Sequence, residues 1–408
     1  MKCRHCGQPL QHSFLDLGTA PPSNAYLRAD QLHVGEVWLP LRLLVCHHCW
    51  LVQTEDMATP ETFFTPDYAY FSSTSTSWLA HARQYAHEMV ERFQLNHQSQ
   101  FVEAASNDGY LLQFFQERDI PCYGIEPTHA TAQVAISKGL ETIEEFLTAD
   151  FARKLVAQRG EVDLFAGNNV FAHVPDINDF AESIRILLKP TGVATLEFPH
   201  LYNMVRYCQF DTAYHEHFSY LSLLAVRSIV EKQGLQLFDV QELSTHGGSL
   251  RVYLQRTDST PHMVSNRVGE LLHREGTAGM NTLQYYQSFQ TAAEQVKYGL
   301  LQFLLDCKRQ GKTVAAYGAA AKGNTLLNFA GVRPDLLEFV CDAAPSKQHR
   351  FMPGSRIPIY PPEQLQHHKP DYVVILPWNL ADEISQQWQI IRTWGGQWVT
   401  AVPEMKIF

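Results

Sequence analysis

Hydrophobic and polar positions change rhythm several times along the chain, and the changes mark out its elements. Between about 100 and 255, short apolar runs alternate with longer amphipathic stretches, the pattern of a doubly wound α/β sheet. The runs Phe101–Ala105, Cys122–Ile125, Thr142–Phe146, Val162–Ala166 and Val193–Phe198 predict five strands separated by helices. Leu235–Leu243 and Ser249–Gln255 then follow one another across Thr245-His246-Gly247-Gly248 with no room for a helix. A parallel connection needs a crossover, so these two runs predict an antiparallel pair closing the sheet at its edge.

The flanks have other rhythms. A helical pattern through Trp78, Tyr85, Met89 and Phe93 predicts an entry helix over the sheet, and residues 256–310 are polar and helical, with Leu283, Tyr286, Phe289, Val296, Leu300 and Phe303 on one face. A second α/β pattern starts at Thr313–Tyr317, passes Gly318-Ala319-Ala320-Ala321-Lys322-Gly323 into a helix, and continues through Leu337–Cys341 and Tyr372–Leu376. Residues 1–57 hold short β-like runs, too few to be held by apolar burial alone. The expected organisation is a module over 1–57, an α/β domain over 58–255, a helical connector over 256–310 and a Rossmann-like α/β domain over 311–408.

With 45% apolar and 18% charged residues among 408, the chain can bury sizeable cores. A net charge of −10, with no Lys/Arg run longer than two, argues against a phosphate-backbone footprint, so a small-molecule partner is expected rather than nucleic acid. The first residues lack the apolar core of a signal peptide, and no apolar stretch nears the ~20 residues that span a bilayer. The expectation is a cytoplasmic protein without a membrane partner, as a monomer or small homo-oligomer.

Four of the eight cysteines form two pairs, Cys3-x-x-Cys6 and Cys46-x-x-Cys49. Each knuckle offers two thiolates from one tight turn, and two knuckles complete a tetrahedral structural zinc site. A redox role needs a thioredoxin-like βαβ context that is absent here. His5, His47 and His48 are nearby, but four cysteines suffice.

In open α/β sheets ligands bind beyond the carboxyl ends of the strands. The first strand ends in Glu103-Ala104-Ala105-Ser106-Asn107-Asp108-Gly109, a turn containing glycine where backbone approaches a ligand closely. The second ends in Glu126-Pro127, an acid about 20 positions on, suited to ribose hydroxyls. The third delivers Phe146 as a candidate adenine wall, and the fourth is followed by Asn168 and Asn169. A G-x-G-x-x-G fingerprint is missing at the first turn. Five βα steps plus a terminal hairpin is the topology of class I methyltransferases, so the expected occupant is S-adenosylmethionine. After the fifth strand, Tyr214-His215-Glu216-His217 concentrates proton-transfer groups, and its spacing matches no metal motif.

Several of these segments together resemble one family. Cys3-Arg4-x-Cys6-Gly7, Asp67-Tyr68-x-Tyr70-x-Ser72, Ser106-Asn107-Asp108-Gly109, Asn169-x-x-x-His173-x-x-Asp176, Tyr214-His215-Glu216-His217, His246-Gly247-Gly248-Ser249-x-Arg251-Val252 and Gly318 through Asn328 are similar to the sugar C-methyltransferases of deoxysugar biosynthesis. These include the nucleotide-linked (TDP-type) 4-keto-deoxysugar C-3-methyltransferases, and the resemblance spans essentially the whole chain. One departure is Ala104-Ala105, where many members carry an Ile-Gly-like pair. The resemblance implies His217 as base, with Tyr214 and Glu216 beside it, and Tyr68 and His173 lining the sugar pocket. It also implies that the C-terminal domain holds the nucleotide diphosphate, with His246, Gly247, Gly318, Lys322, Asn324, Lys347, Trp378 and Asn379 as candidate contacts and Arg350 nearby.

Two other readings stand beside this one. The C-terminal half read alone suggests an NAD-dependent nucleotide-sugar dehydrogenase or epimerase, and a non-catalytic zinc-containing binding protein keeps the same fold without the chemistry.

Overall fold

Strands β1 (His12–Ala20), β2 (Leu39–Val45) and β3 (Val52–Thr54) form an antiparallel meander in the computed structural model, which describes residues 1–55 and 71–408. The central sheet contains β4 (Phe101–Ala104), β5 (Cys122–Ile125), β6 (Thr142–Ile143), β7 (Val162–Asn168) and β8 (Leu188–Pro199). The chain then adds β9 (Ser219–Tyr220) to the meander against β3, and returns to the central sheet with β10 (Leu235–Leu243) and β11 (Ser249–Arg256). The central order is β10-β11-β8-β7-β4-β5-β6, with β11 antiparallel to both neighbours, which is the class I methyltransferase arrangement.

Burial explains why these runs are strands. Val193 to Phe198 of β8 is buried without interruption because helices cover both faces of the sheet. Along β4, Val102 and Ala104 enter the core shared with Phe165 and Leu196, while Phe101 enters the opposite one with Leu164, Tyr85 and Met89. Tyr85 and Met89 come from helix Thr76–Phe93, whose N-terminus is capped by Ser75 Oγ accepting from Trp78 N–H at 3.2 Å.

The third sheet follows the order β14-β13-β12-β15-β16-β17, where β12 is Val314–Tyr317, β13 Val340–Cys341, β14 Ile359–Tyr360, β15 Tyr372–Ile375, β16 Gln397–Thr400 and β17 Lys406–Ile407. All its pairs are parallel except β16 with β17. The modules are not beads on a string. Phe14 of β1 stacks on Phe289 of helix Phe289–Arg309 at 4.6 Å, in one core with Leu326 and Val340 of the C-terminal domain.

Two expectations need correction. β6 ends at Ile143, so Glu145 and Phe146 lie beyond the strand, and Phe146 is 43% exposed. The short strands β14, β16 and β17 add to a C-terminal sheet that the apolar runs had shown only in part. Among the described residues no helix is long and apolar enough to cross a membrane.

Candidate active site

β4 leaves the sheet through a turn in which Ala105 (φ +54°), Asn107 (φ +50°) and Gly109 (φ +77°) all take left-handed backbone. Ala105 therefore holds a conformation that the glycine of the family's usual pair adopts without strain. The turn closes against β5 because Gly124 has no side chain: a Cβ there would stand 2.1 Å from Ser106 Oγ. Glu126, at the end of β5, ties the turn down by accepting Asn107 N–H at 2.9 Å and Thr128 N–H at 2.8 Å, with Pro127 between them.

Buried polar atoms without hydrogen-bond partners among the described residues gather here. They are both carboxylate oxygens of Glu103, Ser106 Oγ, Asn168 Oδ1 and Asn169 Oδ1, from the carboxyl ends of β4 and β7 and the turns after them. Each such group costs about 1–3 kcal/mol when left unpaired. Burial pushes the Glu103 carboxyl well above its ordinary range. A set so rich in acceptors fits a ligand that brings donors and positive charge, as the ammonium group and ribose hydroxyls of S-adenosylmethionine do.

The acid–base segment follows the turn Phe210–Thr212 and precedes β9. His217 is buried, and its Nδ1 lies 3.0 Å from the Thr212 carbonyl oxygen. A carbonyl only accepts, so the proton sits on Nδ1 and the lone pair on Nε2. Burial, then the neighbouring His173, hold the His217 imidazole well below its usual range, so the ring is neutral. The rings of Tyr214 and His173 lie 3.9 and 4.5 Å from it. Glu216 is turned elsewhere, its two oxygens accepting from Asn24 Nδ2 at 2.8 and 3.0 Å. His215 Nε2 donates to the carbonyls of Leu39 and Pro40. Tyr68 lies outside the described residues.

The C-terminal domain meets this site from the other side. Trp378 packs on the β10–β11 turn, where a Cβ on Gly247 would stand 2.4 Å from its ring, and Trp378 Nε1 donates to Asp211 at 2.8 Å. Lys322 Nζ sits 4.5 Å over that ring and donates to Asn379 Oδ1 at 2.7 Å. Burial first, and then the Lys322 charge, lower the His246 pKa to about 4, and the same charge adds a smaller lowering at His217. His246 Nε2 accepts from Asn169 Nδ2 at 3.0 Å, joining the hairpin to the donor crevice. Lys347 Nζ donates to the Ala319 carbonyl at 2.9 Å. Gly318 lies against Pro377, and Asn324 is buried with its Nδ2 donating to Ser23 O at 2.6 Å. Asn324 thus binds the N-terminal module in this structure.

Two acids escaped the reading of the sequence. Asp342, at the end of β13, accepts Ala319 N–H at 2.7 Å and Ala344 N–H at 2.8 Å, repeating in the C-terminal domain the arrangement of Glu126. The rule that found Glu126, an acid closing the second strand, points to Asp342 as well. Asp211 carries no such signal. Burial raises its pKa to about 6, against the opposing charge of Lys322.

The Sγ atoms of Cys3, Cys6, Cys46 and Cys49 all lie within 4.8 Å of one another, with Cys3–Cys49 and Cys6–Cys46 at 3.5 Å. A tetrahedral zinc with bonds of about 2.3 Å sets sulfurs about 3.8 Å apart, so the four thiols fit the ion. His5 is a peg instead, its ring nitrogens bonded to Asn178 Oδ1 at 2.8 Å and Ser228 Oγ at 3.1 Å.

Burial of neutral imidazoles has a measurable sign. The pKa of His173 falls to about 4, chiefly by burial, so below about 6.5 the unfolded chain binds a proton that the folded chain refuses. Stability conferred by the neutral ring is present above that pH and is lost as the pH falls. Relative to His173→Asn, the wild-type chain should lose about 1.4 kcal/mol of unfolding free energy per pH unit between about 6.5 and 4 in urea titrations. A constant difference would show that His173 is protonated when folded.

Comparison with known proteins covers the same ground. Residues 3–64 match a family model described as a zinc binding domain, 78–240 a methyltransferase domain and 244–403 a C-methyltransferase C-terminal domain. The C-methyltransferase NovU of Streptomyces niveus is 34% identical over 406 residues, covering 100% of this chain and 96% of NovU. Among solved structures, the PH0226 protein of Pyrococcus horikoshii OT3 is 12% identical, covers 46% of this chain and 95% of its own, and superposes with a TM-score of 0.39. The magnesium protoporphyrin IX methyltransferase of Synechocystis PCC 6803 is 16% identical, with coverage of 44% and 81% and a TM-score of 0.32. Matched end to end by a relative at 34% identity, the chain belongs to the S-adenosylmethionine-dependent C-methyltransferases that carry an N-terminal zinc-binding domain.

Proposed function

We propose that the chain methylates C3 of a nucleotide-linked 4-keto-6-deoxysugar. The observation that carries this reading is the buried neutral His217, its Nδ1 proton committed to Thr212 O, beside Tyr214 and His173 and within the field of Lys322. A ring carbon next to a ketone releases its proton only if the enolate is stabilised as it forms. In this proposal His217 Nε2 takes the proton, and Tyr68, His173 or Tyr214 donates to the keto oxygen. Glu216 acts from the flank through Asn24. The donor supplies a sulfonium methyl to the resulting carbanion and departs as S-adenosylhomocysteine.

Glu103, Ser106, Asn107, Gly109, Glu126, Pro127, Asn168 and Asn169 line the donor crevice, with Phe146 at its outer edge. The nucleotide diphosphate lies on residues 311–408, between the Gly318 turn and the His246-Gly247 hairpin, with Lys322 adding positive charge to its seat and Trp378 and Asn379 joining it. Lys347 and Asp342 hold the turn through Ala319, and Asn324 stands in the helix that follows it. Gripping both substrates supplies the proximity that a two-substrate transfer needs.

Calorimetric titration with S-adenosylhomocysteine and, separately, with thymidine diphosphate tests the reading. One site for each is expected, with Lys322→Ala weakening the second at least tenfold and leaving the first alone. Binding of NAD with neither ligand bound would replace the proposal by a nucleotide-sugar dehydrogenase or epimerase, and binding of none by a non-catalytic zinc protein.

A further inference from the structure

Arg4 lies between two zinc ligands, yet its side chain faces away from the thiols. Its Nη2 donates to the Thr54 carbonyl at 3.0 Å and its Nη1 to the Pro175 carbonyl at 3.2 Å, and its guanidinium carbon stands 5.2 Å from the centre of the Phe218 ring. Two of these contacts fall on the segments that carry the paired imidazoles, and the third falls on β3, which is bonded to one of them. Pro175 is two residues beyond His173, and Phe218 follows His217. Thr54, on β3, holds the second segment directly: its N–H donates to Phe218 O at 3.2 Å and its Oγ1 to His217 O at 3.2 Å. The segments also touch each other, Ser219 N–H donating to Ala172 O at 3.1 Å.

The base of Arg4 is fixed just as firmly. Its own N–H donates to Gln53 Oε1 at 2.9 Å, and Gln53 Nε2 donates to Cys3 Sγ at 3.3 Å. The knuckle therefore fixes the backbone from which the guanidinium extends. Only a planar fork of donors can serve two carbonyls on different segments while lying over an aromatic ring, which sets arginine apart from lysine here.

We infer that Arg4 is a positioning residue, a clamp by which the zinc knuckle sets the separation of His173 and His217. The inference rests on the proposed role of those histidines and adds to it a reason for the metal module to abut the active site. A misplacement of about 1 Å far from the chemistry can cost about a hundredfold in rate.

The test uses full-length, zinc-loaded protein carrying Arg4→Met or Arg4→Lys. Metal analysis should find zinc retained in both variants, and S-adenosylhomocysteine should bind within twofold of wild type. Methyl transfer should fall ten- to a hundredfold in kcat for Arg4→Met with the donor KM unchanged, and Arg4→Lys should recover part of the loss. Side-chain NMR should find the His173 and His217 titrations displaced in Arg4→Met. That last readout needs no acceptor sugar, so it tests the clamp even if the wild-type chain leaves every 4-keto sugar untouched. Unmoved titrations with a wild-type rate would overturn the inference, and so would loss of zinc in step with activity, which would make Arg4 a plain part of the knuckle.

Discussion

Asparagine at position 217 is expected to lower methyl transfer by about 10²–10⁴-fold, the usual contribution of a positioned base. The amide of His217→Asn can still donate to the Thr212 carbonyl that Nδ1 now serves at 3.0 Å, so the local fold is kept and only the lone pair at Nε2 is lost. Affinity for S-adenosylhomocysteine should stay within about twofold, since the proposed donor crevice lies at the ends of β4, β5 and β7. Solvent deuterium should cease to enter the acceptor's acidic position in the absence of donor. A rate equal to wild type would remove His217 as the base and leave Tyr214 as the candidate.

Removing the zinc should be the most damaging change of all. Structural zinc sites contribute about 10–16 kcal/mol in isolated fingers, and here Cys3, Cys46 and Cys49 are part of the core that holds Val226 and Ile177 of the methyltransferase domain. Without metal, four thiols crowded within 4.8 Å of one another have no ion to hold them together. Stripping the metal with a strong chelator, or the substitution Cys46→Ser, should lower Tm by at least about 10 °C and abolish methyl transfer, because β3 loses its anchor and β9 its partner. An apo-protein with an unchanged melting curve would refute a structural role for the ion.

Much of this architecture could be read from the chain. Strands covered on both faces leave unbroken apolar runs, so Val193–Phe198 and its fellows stood out, and the missing helix between Leu243 and Ser249 forced the closing hairpin. Which hairpin strand lies inside could not be read, since both are equally apolar; β11 takes the inner place next to β8. β14, β16 and β17 have two to four residues each, too few for a period to show.

Candidate site residues divide in the same way. Glu126 and the cysteine pairs obey spacing rules that follow from one local element. Glu216 is adjacent to His217, yet the turn at 215–216 sends their side chains to different partners, and nothing in the linear order tells which faces the crevice. Asp211 and Arg4 depend on contacts with residues more than 150 positions away, Trp378 for one and Pro175 for the other.

The pairing of Val52 and Gln53 with Tyr220 and Ser219 carries a lesson for anyone building chimaeras. The metal module borrows its fourth strand from a point more than 150 residues downstream, so a fragment that stops near residue 57 exposes the backbone of β3, whose side chains are all buried in the whole chain. An unpaired edge of this kind invites self-association. Exchanging this module between relatives therefore means exchanging residues 214–220 with it, and on the ribosome the sheet stays unfinished until that distant strand has emerged.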